Sequence, residues 1–166
     1  MSLPGQRPDP NRYNIIPRTL SFLIHEDKVL LIKIASGRSS WSGKYNGIGG
    51  HIEQGEDPKS SAIRELSEEA DIPIDQLTLC GVMMIDVGHS PGIGLYVFVG
   101  ETDHFAPRVS NEGAAEWIHL NSLDDVPLVD DLTELLPRSI HSYRNHTPFT
   151  GITTFSPAGD PILNFN

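Results

Sequence analysis

The stretch that decides the reading runs Gly49-Gly-His-Ile-Glu-Gln-Gly-Glu-Asp-Pro-Lys-Ser-Ser-Ala-Ile-Arg-Glu-Leu-Ser-Glu-Glu-Ala-Asp-Ile72. Asp57-Pro58 is a helix start, with an N-capping acid followed by a proline at the first helical position. Ala62, Ile63, Leu66 and Ala70 form an apolar stripe at helical spacing, and Pro73 ends the helix. The same helix carries Arg64-Glu65 and Glu68-Glu69. Glu65, Glu68 and Glu69 crowd one edge by i,i+3 and i,i+4 spacing, in the half of the helix where the dipole disfavours anions. Arg64 offsets part of that repulsion by pairing with Glu68 four residues on. A hard divalent cation would offset the rest, because Mg²⁺ takes carboxylates and completes its octahedron with water and phosphate oxygens. The alternative is an acidic, solvated helix face. The glycines just upstream, Gly47, Gly49, Gly50 and Gly55, allow a backbone to approach a ligand closely.

Outward from this segment, two strands precede it, Thr19–Ile24 and Lys28–Ile34, joined by a polar break that predicts a hairpin. Ala35–Lys44 is Ser- and Gly-rich and reads as a loop, and Tyr45–Ile52 is too rich in glycine for an ordinary central strand. After the helix come strands at Leu77–Val87, Gly94–Gly100 and Glu116–Leu120. A second helix is marked by Leu132, Leu135, Leu136, Ile140 and Tyr143, with Pro137 as a kink or early-turn residue. Ile152–Phe155 and Pro161–Phe165 flank a turn and predict a closing hairpin. Residues 1–17 read as an N-terminal arm, and 18–166 as one domain. Strands interleaved with two helices give a mixed-sheet α/β (α+β) layer fold.

Composition narrows the function. The 166 residues carry 12 Lys and Arg against 22 Asp and Glu, a net charge of −10, which disfavours duplex nucleic acid and anionic membranes as partners. It leaves open a small polyanion bridged by a metal. The single cysteine, Cys80, excludes an internal disulfide and a multi-cysteine zinc site. No apolar run approaches a membrane span, and the first residues carry no hydrophobic signal region, so a cytoplasmic location is expected.

The spacing Gly50-x5-Glu56-x7-Arg64-Glu65-Leu66-x-Glu68-Glu69-x-Asp71-Ile72 resembles the Nudix box, whose pattern is Gly-x5-Glu-x7-Arg-Glu-apolar-x-Glu-Glu-x-Gly-apolar. The departure is Asp71 in place of the glycine that ends the helix in a left-handed conformation, which Asp tolerates better than most residues. Lys44-Tyr-Asn-Gly-Ile-Gly-Gly50 is similar to a segment of the MutT-like branch that hydrolyses 8-oxo-purine nucleoside triphosphates, and the closing hairpin also resembles that branch. Asp130-Asp131 falls where the branch carries a purine-reading Asp pair, and Leu128 or Val129 sits near the place of its base-stacking Trp.

This resemblance implies an α/β/α sandwich around a mixed sheet and Mg²⁺- or Mn²⁺-dependent hydrolysis of a nucleoside diphosphate linked to X. The X moiety is most simply a phosphate, giving a (d)NTP or oxidised purine (d)NTP cleaved to monophosphate and pyrophosphate. It implies Glu65, Glu68, Glu69 and the Gly49 carbonyl as metal ligands, and Arg64, Glu56 and Gly50 as supporting groups. Glu112 matches an added loop carboxylate, ligand or base, and is equally readable as an ordinary loop acid. Asn46, Asp130 and Asp131 would face the substrate, while Lys33 and Lys44 would steer its phosphates or simply be surface lysines. Asp130 or Asp131 could instead cap the second helix. Two other readings stand beside this one: the same chemistry on a sugar nucleotide, dinucleotide or other diphosphate, and a nucleotide-sensing module without catalysis. Either a monomer or a homodimer is compatible.

Overall fold

The computed structural model describes Asp9 and residues 11–37, 40–104 and 109–166. Most of the expected arm and two positions of the 35–44 loop lie outside these residues. Among the described residues, eight strands form one mixed sheet: β1 (Ile15–His25), β2 (Lys28–Ile34), β3 (Tyr45–Asn46), β4 (Thr78–Ile85), β5 (Gly92–Glu101), β6 (Gly113–His119), β7 (Phe149–Phe155) and β8 (Pro161–Phe165). Helix α1 is Pro58–Ala70 and α2 is Leu132–Asn145. The main path through the sheet is β3-β2-β1-β5-β4-β7-β8, with β6 paired to β2. β1 and β5 run parallel in register from Ile15↔Gly92 to Ile24↔Glu101, and β4 and β7 are also parallel; the other strand pairs are antiparallel.

Alternation along the strands builds two cores. Leu23, Leu30, Ile32 and Phe98 face α1, which buries Ala62, Leu66 and Ala70 against them. Phe22, Ile24, Val29, Leu31 and Val97 face the other way, where α2 buries Leu132, Leu135, Leu136 and Ile140. Helices on both faces of a mixed sheet give the α/β/α sandwich. Ile63, expected on the α1 stripe, only borders the core.

Several boundaries differ from the sequence reading. β1 begins at Ile15, inside the expected arm, because its first residues pair with Gly92–Gly94 of a β5 that also starts earlier than expected. Pro17 and Arg18 on β1 and Gly92 and Gly94 on β5 hid a ladder that is set by backbone pairing. β6 starts at Gly113 rather than Glu116 because its pairing runs the length of β2. A 3-10 helix at Leu120–Asp125 has no apolar periodicity to announce it. Pro137 lies within α2, past its first turn. Asp71 adopts φ 56, ψ 34, so the left-handed helix end is kept without glycine. Its amide donates to the Ser67 carbonyl at 3.1 Å.

Candidate active site

α1 is started by Asp57, whose carboxylate accepts from the amides of Lys59 and Ser60 at 2.9 and 3.1 Å. This fixes the rotation of the helix and sends its polar edge toward the glycine segment. Arg64 is the hub of that edge. Its Nε and Nη2 donate to the two oxygens of Glu56 at 2.7 and 3.0 Å, a bidentate pair, and Nη2 also donates to the His51 carbonyl. Nη1 donates to Glu65 at 2.9 Å and to Glu68 at 3.2 Å. The guanidinium holds the Glu56 carboxyl down at a pKa of about 2, and these carboxylates in turn raise the proton affinity of Arg64. Gly50 lies directly under Glu65: a Cβ on Gly50 would collide with the Glu65 carboxylate. At Gly49 a Cβ would run into the Thr19 carbonyl of β1. Close approach on both sides therefore requires two glycines.

Glu65, Glu68 and Glu69 open with Val109, Ser110, Asn111 and Glu112 onto a hollow of about 450 Å³. Glu112 thus comes from the loop before β6 to face the helix carboxylates. Glu69 is only 6% exposed. Burial first, then the charges of Glu112 and Glu65, push its pKa up to about 8. Four carboxyl groups on one hollow are a hard-oxygen donor set whose mutual repulsion Arg64 offsets only in part, and this chemistry fits a divalent cation. Among the described residues no three carboxylate or imidazole groups already converge as a closed cation shell. Arg64 occupies one oxygen each of Glu65 and Glu68.

A second cavity, a cleft of about 380 Å³, lies on the α2 face of the sheet. Its floor is apolar, with Leu20, Leu95, Ile93 and Ile85, and Thr153 beside them. Trp41, Asn46, Gly47 and Gly49 border it, as do Val129–Asp131 and, from the closing hairpin, Phe155, Gly159 and Pro161. Asn46 keeps its side-chain oxygen for the Gly47 amide at 2.8 Å. Lys44 pairs with Asp130 at 2.5 Å. Asp131 occupies the N-cap position of α2 but makes no side-chain capping bond. Burial and the charge of Asp130 raise its pKa.

The fold therefore gathers the expected residues into two groups. Glu65, Glu68, Glu69 and Glu112 share the hollow, with Arg64, Glu56 and Gly50 behind them; Asn46, Asp130, Asp131 and Gly49 line the cleft. Lys33 joins neither cavity lining: its ammonium sits over the Tyr45 ring at 5.4 Å. Arg18, Trp41, Thr153 and Phe155 line the cleft without having been singled out from sequence. The signal for Arg18 was its parity with Leu20 and Phe22 on an inward-facing strand. For Trp41 it was a large aromatic residue in a Ser/Gly loop.

A helix edge of carboxylates thus packs behind a glycine turn whose other residues line an apolar cleft. A family model for the NUDIX domain matches residues 16–139, and the chain belongs to the Nudix family. It is a Nudix pyrophosphohydrolase. The mouse oxidized purine nucleoside triphosphate hydrolase is 30% identical over 113 residues, covering 68% of this chain and 69% of that protein. The NAD-capped RNA hydrolase NudC of Pseudomonas syringae pv. tomato is 26% identical over 134 residues, covering 81% of this chain but 47% of the relative. The crystal structure of the MutT protein from Bacillus halodurans superposes with a TM-score of 0.71 at 20% identity, covering 92% of this chain and 98% of that one. This last similarity bears on the fold alone.

Proposed function

We propose that the chain hydrolyses a nucleoside triphosphate, ordinary or oxidised at a purine, to the monophosphate and pyrophosphate. The observation that carries the reading is the glycine pair. Gly49 borders the cleft and Gly50 underlies Glu65, so one turn of backbone separates a nucleoside-sized apolar cleft from the four carboxylates. A nucleoside in the cleft would place its phosphates at the hollow. Glu65, Glu68, Glu69, Glu112 and the Gly49 carbonyl would hold Mg²⁺ or Mn²⁺. When bound, such an ion polarises a phosphoryl oxygen, lowers the pKa of the attacking water and neutralises the leaving group.

The remaining steps belong to the protein. Glu56 and Arg64 orient the helix carboxylates. Glu65, at van der Waals reach of the glycine turn, accepts the proton of the attacking water, with Glu112 the second choice for that role. Asn46 and Asp131 hydrogen-bond the base edge, and Lys44 holds Asp130. A single domain over 18–166 and a cytoplasmic location belong to the same reading.

The mouse relative acts on oxidised purine triphosphates, which favours this substrate class. The similarity to a NAD-capped RNA hydrolase keeps a second reading, the same chemistry on a dinucleotide. A hydrolysis screen with and without Mg²⁺ over (d)NTPs, oxidised (d)NTPs, sugar nucleotides and dinucleotides separates the two. Pyrophosphate release from a triphosphate supports the first; two monophosphates from a dinucleotide, with triphosphates untouched, support the second.

A further inference from the structure

Arg18 is a cation on an apolar floor. Residues i and i+2 of a strand share a face, so Arg18 lies on the same side of β1 as Leu20, and its register partner on β5 is Leu95. All three line the cleft. Among the described residues the Arg18 guanidinium has no hydrogen bond or ion pair, although Asp130 and Asp131 border the same cavity. Asp130 is taken by Lys44. The Asp131 side chain makes no capping bond, and no salt bridge joins it to Arg18. A half-buried guanidinium and a half-buried carboxyl thus remain apart in one cleft, each with unused hydrogen-bonding capacity. A ligand that fits must offer acceptors to the first and a donor to the second.

We propose that Arg18 is a specificity-determining residue that donates to the O6 and N7 acceptors of a guanine base, while an Asp131 oxygen accepts from that base's amino edge. The proposal rests on the cleft holding the nucleoside. Guanine is the base that presents two adjacent acceptors on one edge and an amino donor on another; adenine places a donor, its N6 amino group, next to N7. The planar guanidinium fork presents two donors in fixed geometry to the two-acceptor edge, where a lysine ammonium offers a point charge on a flexible stem. A guanine oxidised at C8 carries a hydrogen on N7, so the fork loses an acceptor. Arg18 therefore directs the cleft toward unoxidised guanine nucleotides.

The test is equilibrium binding of monophosphates, which have no anhydride to cleave. The intact chain is titrated with dGMP, 7-deaza-dGMP, 8-oxo-dGMP and dAMP. The expected result is dGMP bound about tenfold or more tighter than the other three. In Arg18→Gln the gap closes to about twofold, while Arg18→Lys keeps the charge but loses the preference for N7. Equal binding of dGMP and 7-deaza-dGMP by the parent chain overturns the proposal. So does an Arg18→Gln that weakens all four ligands alike, which would mark a phosphate contact, and so does an absence of dGMP binding. Circular dichroism of both variants checks that the fold is kept. A guanine preference in a chain that cleaves no triphosphate sustains the role of Arg18 and overturns the proposed substrate. Triphosphate hydrolysis without such a preference does the reverse.

Discussion

Arg64 and its carboxylates show how one residue sets the electrostatics of the helix. Glu56 and Glu65 both press on the guanidinium, and Glu56 takes it bidentately. The Glu56 carboxyl has a folded pKa of about 2, below its ordinary value of 4.5. A group shifted down contributes stability that is full above the unfolded pKa and is lost as pH falls through the folded one. The parent chain should therefore lose denaturant resistance between about pH 4.5 and pH 2. Glu56→Gln should lose less over that window, although it is the less stable protein at pH 7. Urea midpoints for both chains at pH 7, 4 and 3 check this, and parallel curves would remove Glu56 from the acid response. Glu69 has the opposite character, a buried carboxyl among like charges. Glu69→Gln should raise the melting temperature in chelator and lower turnover by orders of magnitude in Mg²⁺. Glu68→Gln, at an exposed carboxylate, should lower turnover with little change in melting. Activity that survives both changes would overturn the catalytic reading of the helix.

The two helices each begin at an aspartate, and the two aspartates do different things. The Asp57 carboxylate accepts two backbone amides of α1, whereas the Asp131 carboxylate accepts none from α2 and lines the cleft instead. Asp57→Ala should then cost about 1 kcal/mol of stability, the typical worth of a cap. Asp131→Asn should leave stability unchanged while altering the relative kcat/KM among purine and pyrimidine triphosphates, as should Asn46→Ala. An Asp131→Asn that only destabilises would return Asp131 to a capping role. This contrast also marks the limit of the sequence reading. α1 was legible because its cap, stripe and charges are local, and the matched spacing carried the glutamates with it. α2 was legible from its apolar period, but what its first residue faces is a matter of tertiary placement. The same holds for Arg18 and Thr153, whose strands meet over the cleft through β1–β5 and β4–β7 pairings distant in sequence. Glu112 was an ordinary loop acid by local pattern, and the hollow it shares with α1 exists only once β6 has paired with β2.

At the scale of the whole chain, a net charge of −10 and four carboxyl groups on one hollow make the metal-free protein self-repelling where it is densest in charge. A cation bound by the folded state alone stabilises it by RT ln(1 + [L]/Kd), about 2.7 kcal/mol at one hundred times Kd. Millimolar Mg²⁺ or Mn²⁺ should therefore raise the melting temperature of the chelator-treated protein in a concentration-dependent way. General screening would also stabilise so acidic a chain, so the control is NaCl at equal ionic strength, where the expected rise is smaller and follows ionic strength alone. The site-specific part should vanish in Glu65→Gln and Glu69→Gln, because each removes a donor from the hollow, and persist in Asp124→Asn, an exposed acid of the 3-10 helix outside both cavities. If Mg²⁺, Mn²⁺ and matched NaCl move the melting curve equally, in the parent chain and in all three variants, the carboxylates are a solvated acidic face and the cation reading falls. If the divalent effect separates from NaCl and follows Glu65 and Glu69, the repulsion built into α1 is the folded state's reserve for its metal.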